Sequence, residues 1–109
     1  MYQVSIKDKY GDILISLGDL DTTVDDALRR YVLERASDRM EQCKAEIARM
    51  ESRYGVSFKA FRKRVVEDEA FLEQLGREHS TWEADFNRWE TYVEELERWK
   101  KRTQDILIT

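Results

Sequence analysis

Residue types that could carry chemistry are few and scattered along this chain. The single histidine, His79, and the single cysteine, Cys43, cannot form a zinc site, which needs three or four such ligands. The inward-facing Glu-x-x-His pairs of a ferritin-like site do not occur. There is no glycine-rich phosphate loop, and no Ser, His and Asp set can be assembled with specificity. We therefore expect a non-enzymatic protein with no cofactor, metal or small-molecule substrate.

Carboxylates are abundant, but their spacing suggests a solvated helix face. Glu94, Glu95 and Glu97 lie three or four residues before Arg98, Lys100 or Lys101, and Glu90 lies one helical turn before Glu94. Such pairs support a helix from its exposed side. The whole segment 67–109 has a net charge of -6, whereas residues 29–66 have +6. This asymmetry predicts neighbouring helices of opposite charge.

The only basic run leaves two interpretations open. Lys59, Arg62, Lys63 and Arg64 interleave with Phe58 and Phe61. They could contact the phosphate backbone of a nucleic acid. They could instead belong to a short amphipathic helix whose charges meet the acidic C-terminal segment, which is the interpretation that we favour because four charges are a small footprint.

The composition predicts one helical domain over residues 1–109. Charged residues make up 39% and hydrophobic residues 41%, so the chain is too apolar for intrinsic disorder. It has no proline and four glycines, which suits long helices. No apolar run approaches a membrane span and no signal-peptide pattern is present, so a cytoplasmic protein without membrane contact is expected.

The N-terminal segment, residues 1–20, predicts β-structure. Val4 and Ile6 alternate with polar residues, and Ile13, Ile15 and Leu17 follow a break at Tyr10-Gly11-Asp12. This pattern favours a β-hairpin, or a strand that pairs with a second copy.

The rest of the chain predicts a long antiparallel helical hairpin that resembles a coiled coil. A long helix is expected over 23–54, a short connecting helix over 57–66 and a second long helix over 68–105. Apolar residues keep an alternating spacing of three and four in both long helices, from Ala36 to Tyr54 and from Leu72 to Leu96. Such a hairpin buries little area alone, so an oligomeric helical bundle, a homodimer or larger, is predicted.

The tryptophans divide between a core and an interface. Trp82 and Trp89 lie on the seam of the second long helix and are expected in the core. Tyr92, Trp99 and Ile106 form a second seven-residue series to one side of that seam. Tyr31 likewise lies to one side of the apolar seam of the first long helix. Aromatic residues are enriched at interfaces. Tyr31, Tyr92, Trp99 and Ile106 are therefore the predicted protein interface.

Two stretches also resemble a known group of proteins. ESRYGVSFKAFRKRV, which begins at Glu51, and HSTWEADFNRWETYVEELERW, which begins at His79, are similar to small prokaryotic antitoxin-like helical proteins of toxin–antitoxin modules. The resemblance covers about residues 27–102 and is most specific at Tyr54–Phe58 and at the two Trp-Glu pairs. It implies a protein that binds and masks a small ribonuclease-type toxin, and the acidic segment could cover a basic RNA-binding cleft.

Three functions follow, in order of preference. The first is an antitoxin-like protein-protein interaction module. The second is a homo-oligomeric coiled-coil scaffold or adaptor. The third is a nucleic-acid-binding module that uses the basic short helix.

Overall fold

The structure, a computed structural model, describes residues 1–109 and contains five helices and no strand. They make up 84% of the chain and are α1 (Asp8–Leu17), α2 (Leu20–Tyr54), α3 (Phe58–Glu67), α4 (Glu69–Glu78) and α5 (Trp82–Ile108). None of them combines the length and the apolar character that crossing a bilayer requires. Where the sequence predicts one domain, the chain divides into two compact units, residues 1–35 and 36–109.

The predicted β-hairpin is wrong. Residues 1–7 have no regular structure, and α1 follows directly. Tyr10, Ile13, Leu14 and Leu17 have the spacing of one helix face, and this period prevails over the apparent alternation. Gly11, which suggested a turn, lies inside α1. A two-stranded ribbon without further strands is marginally stable, so little energy opposes the helix.

The long helix α2 begins three residues before its predicted start. Asp19 precedes its first residue, and the Asp19 carboxylate accepts a hydrogen bond from the backbone N–H of Thr22 at 3.1 Å. This bond satisfies one of the amide groups that a helix leaves without a partner at its N-terminus. The cap is therefore the first aspartate of the Asp-Leu-Asp run and not the second.

In the second unit, the C-terminal part of α2 packs against α5. Ala36, Cys43 and Met50 are the buried residues of α2 and recur at seven-residue intervals. Tyr54 bonds to Asp85, and Arg39 bonds to Glu95. Because residue numbers rise along α2 as their partners' numbers fall along α5, these two helices run antiparallel.

The core of this unit is an aromatic cluster that α3 completes. Trp89 is fully buried, and its ring centroid lies 5.9 Å from that of Tyr54 and 5.3 Å from those of Phe58 and Phe61. Leu75 adds a buried contribution from α4. Trp82 is only half-buried and packs on the edge of the cluster through Phe86. The short helices thus cover one end of the α2–α5 pair.

The prediction of one helix over 68–105 is corrected by a break. α4 ends at Glu78 and α5 begins at Trp82, with His79, Ser80 and Thr81 between them. His79 has a non-helical backbone, with φ of -133°. Serine and threonine side chains compete with helical backbone bonding, which favours such an interruption. The apolar spacing continues through His79, so periodicity alone does not reveal it.

Gly55 ends α2 and provides a first test of the fold. It has a positive φ of 73°, and its N–H bonds to the Glu51 carbonyl at 2.7 Å. No atom lies within 4 Å of where a Cβ would stand, so the substitution Gly55→Ala meets only backbone strain. We expect it to lower the free energy of unfolding by about 1–2 kcal/mol, measured by urea unfolding followed by circular dichroism.

Gly76 provides the matched control. It also has open space around it, but it lies inside α4. Gly76→Ala is expected to raise the free energy of unfolding by about 0.5–1 kcal/mol, since alanine is the better helix former. Equal effects of the two substitutions would contradict the assigned role of Gly55.

Candidate protein interface

Exposed apolar side chains concentrate in the N-terminal unit. Eleven of the fourteen large apolar residues that are exposed lie within residues 1–35, and no residue of this unit is buried. Six of them lie on α1 and the first part of α2 and are named the N-terminal apolar residues: Tyr10, Ile13, Leu17, Leu28, Tyr31 and Val32. Their exposed fractions run from 38% for Val32 to 72% for Leu17. Exposed apolar side chains in such number, when they form a patch, mark interaction sites.

The helical period places these residues on narrow stripes. At 100° per residue, Tyr10, Ile13 and Leu17 fall within an arc of about 60° on α1. Leu28, Tyr31 and Val32 fall within about 100° on α2. Stripes of this width face a core in most globular proteins, yet these face solvent. The N-terminal unit therefore presents helix faces of the kind that pack against another protein surface.

The predicted interface residues divide between the two units. Tyr31 is 60% exposed and belongs to the N-terminal unit. Tyr92, Trp99 and Ile106 are half-buried and form one row along α5, as their spacing predicted. The Trp99 indole Nε1 donates to the Glu95 carboxylate at 3.4 Å, so its polar group is satisfied within its own helix. The structure thus leaves Tyr31 the most available of the four.

No family model, curated protein or solved structure matches the chain.

The acidic face of α5 is partly neutralised inside the molecule. Arg39 Nε donates to Glu95 Oε1 at 2.5 Å, and this hydrogen bond holds the pKa of Glu95 below its usual value. Glu97 lies 3.5 Å from Lys100 Nζ. Glu95 and Glu97, two of the four carboxylates on the predicted acidic helix face, therefore have partners already. This arrangement weakens the electrostatic part of the antitoxin hypothesis.

The other two carboxylates, Glu90 and Glu94, line a groove of about 520 Å³ between α3 and α5. The apolar part of its lining, which is called its floor, consists of Phe58, Val66 and Val93. Lys59, Arg62 and Lys63 on α3 form its basic rim, and Glu90 and Glu94 on α5 form its acidic rim. Neither rim makes an ion pair with the other at 4 Å or less.

The fourth residue of the basic cluster lies elsewhere. The Arg64 guanidinium stacks 3.9 Å from the centroid of the Phe71 ring, in a separate pocket that also contains Tyr54 and His79. The cluster is thus split, and three of its cations share a groove with carboxylates. Contact with nucleic acid through Lys59, Arg62, Lys63 and Arg64 stays a prediction.

Sequence reasoning missed a buried polar pair that positions α5 on α2. Asp85 is 8% exposed, and its carboxylate accepts a hydrogen bond from the Tyr54 hydroxyl at 2.6 Å. Arg53 Nε lies 3.4 Å from the same oxygen. Burial, followed by this hydrogen bond, raises the pKa of Tyr54 to about 12. One signal was available, since Asp85 lies four residues before Trp89 and hence on the same helix face.

Proposed function

We propose that this chain is a non-enzymatic protein-interaction module whose N-terminal apolar residues bind a protein partner. The observation that supports it is the contrast between the units. Residues 36–109 enclose an aromatic core, whereas residues 1–35 bury no side chain and expose most of their large apolar ones. Removing such surface from water yields roughly 25 cal/mol per Å². Binding a partner would therefore stabilise the N-terminal unit as well.

The first candidate partner is a small ribonuclease-type toxin in the cytoplasm. Its identity rests on the antitoxin-like sequence stretches alone. The side chains favour an apolar mode of binding over the masking of a basic cleft by charge, because Glu95 and Glu97 are already paired. A second copy of the chain, as in a homo-oligomeric scaffold, is the second candidate for the same apolar residues.

Two substitutions on α1 test the proposal. Ile13 and Leu17 are 61% and 72% exposed. Serine has a helix propensity similar to that of isoleucine and lower than that of leucine, but Leu17 is the last residue of α1, where propensity matters least. The double variant Ile13→Ser, Leu17→Ser is expected to retain its circular dichroism spectrum. Apolar anchors of an interface cost more than 1 kcal/mol each on truncation, so we expect affinity for the partner to fall at least about tenfold.

The measurement has two steps. The tagged chain is isolated from its native host, and a stoichiometric companion is identified by light scattering and mass spectrometry. The companion is then purified, its affinity for the wild-type and double-variant chains is determined, and its ribonuclease activity is assayed with and without the chain.

Ile108 is the matched control, since it is 76% exposed but lies at the end of α5. Ile108→Ser should leave binding unchanged. A companion that binds the double variant as tightly as the wild type would contradict the proposal. A companion without ribonuclease activity would contradict only the toxin assignment.

A further inference from the structure

The groove between α3 and α5 has a charge arrangement that is complementary to itself. It carries three cations on the α3 side and two carboxylates on the α5 side, with an apolar floor between them. Val66 on that floor is 76% exposed, so the groove is not filled by the chain itself. Glu67 adds a third carboxylate at the C-terminal end of α3, so the groove contains equal numbers of positive and negative side chains.

We propose that this groove is a homodimer interface, in which the basic rim of one protomer pairs with the acidic rim of its partner. A two-fold axis makes the same patch face itself, so a surface with both signs can satisfy both copies at once. An axis that runs along the groove sets the α3 side of one copy against the α5 side of the other. An in-plane axis across the groove sets α3 against α3 and opposes cations with cations. The charges therefore select the first arrangement.

The apolar floor supplies the contact that the rims orient. Phe58, Val66 and Val93 of one copy would meet the same residues of the other, which removes exposed apolar surface from water. Charged pairs at an interface mainly fix register and exclude wrong partners. This interface is separate from the N-terminal apolar residues and does not rest on the function proposed for them.

Charge reversal distinguishes pairing of the rims between two protomers from pairing within one protomer. One variant reverses the basic rim (Lys59→Glu, Arg62→Glu, Lys63→Glu) and the other reverses the acidic rim (Glu90→Lys, Glu94→Lys). Each variant alone opposes like charges in its homodimer, so its dimer affinity should fall at least about tenfold. In an equimolar mixture the two variants present opposite rims to each other, and a heterodimer should form. Association is measured by sedimentation equilibrium, and the heterodimer is identified by native mass spectrometry.

Both variants also place like charges across the groove of a single protomer, so their thermal unfolding is followed in parallel. A chain that carries all five reversals restores opposite charges within the protomer. It should dimerise with itself and not with the wild type.

Three results would overturn the proposal: a wild-type chain that stays monomeric at all concentrations, a dimer unaffected by either reversal, or variants that recover no association when mixed. If the variant with all five reversals regains thermal stability while the mixture of the two single-rim variants forms no dimer, the rims act only within one protomer.

The variant Ile13→Ser, Leu17→Ser separates the two interfaces. A groove dimer should persist in this background with unchanged affinity. A dimer that this variant abolishes, and that the charge reversals leave intact, would assign self-association to the N-terminal apolar residues. That result would overturn the groove proposal without contradicting the proposed function.

Discussion

Replacing Trp89 with alanine should lower the free energy of unfolding by about 3–5 kcal/mol, the range for large aromatic residues truncated in a core. The Trp89 side chain is fully buried, and its ring packs against those of Tyr54, Phe58 and Phe61 from two other helices. Domains of this size have a total stability of about 5–15 kcal/mol, so this one change removes a large share. Urea unfolding followed by circular dichroism at 222 nm measures the loss.

Trp82 and Trp99 are the matched controls, because both are only half-buried. Their alanine variants should lose clearly less stability than Trp89→Ala. The indole N–H of Trp89 has no hydrogen-bond partner. Trp89→Phe should consequently cost only the lost packing volume, and less than Trp89→Ala. A Trp82→Ala variant that is less stable than Trp89→Ala would contradict the assignment of Trp89 as the centre of the core.

The second large effect is expected at Asp85. Asp85→Ala removes the acceptor of the Tyr54 hydroxyl bond and the carboxylate next to Arg53. Hydrogen bonds that involve a charged group contribute roughly 1.5–3 kcal/mol, so we expect a loss of that size in the free energy of unfolding. Asp85→Asn keeps an acceptor oxygen and should lose less. In a double-mutant cycle with Tyr54→Phe, the combined loss should be smaller than the sum of the single losses, because both changes break the same bond.

The Tyr54–Asp85 pair also predicts that the free energy of unfolding falls at alkaline pH. The pKa of Tyr54 rises from its ordinary value of 10.0 to about 12 on folding, first because of burial and then because of the bond to Asp85. The unfolded chain therefore loses this proton at lower pH than the folded chain. The stabilisation that results from the raised pKa of Tyr54 is complete below pH 10 and is lost as the pH rises towards 12.

Tyr54→Phe should make the fall in stability over this pH interval shallower, and the exposed Tyr31 gives the control variant Tyr31→Phe. If the Tyr54→Phe and wild-type profiles have the same slope, the phenol does not carry the effect.

The sequence predicted helices where the apolar period is long and has a covering partner. The seam that runs through Ala36, Cys43 and Met50 identified the buried face of α2, and seven-residue spacing placed Tyr92, Trp99 and Ile106 in one row. Periodicity was sufficient there because burial along a helix repeats with its turn.

The sequence was a poorer guide where local signals compete. Short apolar runs such as Tyr10–Leu17 fit both a strand and a helix, and the prediction of a strand there is wrong. The break after α4 was hidden because His79 continues the apolar register while its backbone leaves the helix.

The proposed interface was only partly predictable for a related reason. Exposure is a property of what packs on a residue, so Ile13 and Leu17 look like ordinary core residues until their neighbours are known. The Asp85 carboxylate shows the converse, since a charged residue in a charge-rich segment gives little indication that it will be buried beside a tyrosine. The groove between α3 and α5 combines residues more than thirty positions apart, such as Lys59 and Glu94.

The buried thiol of Cys43 makes local opening of the chain measurable. It is the only cysteine, it is fully enclosed on the seam of α2, and burial raises its pKa. A thiol reagent can reach it only after this part of the helical seam has come apart, and the thiolate that reacts forms readily only in that open state. The rate at which a disulfide-exchange dye labels Cys43 therefore counts spontaneous openings of the molecule under native conditions. Local opening that leaves the circular dichroism spectrum unchanged would be detected in this way, without any engineered label.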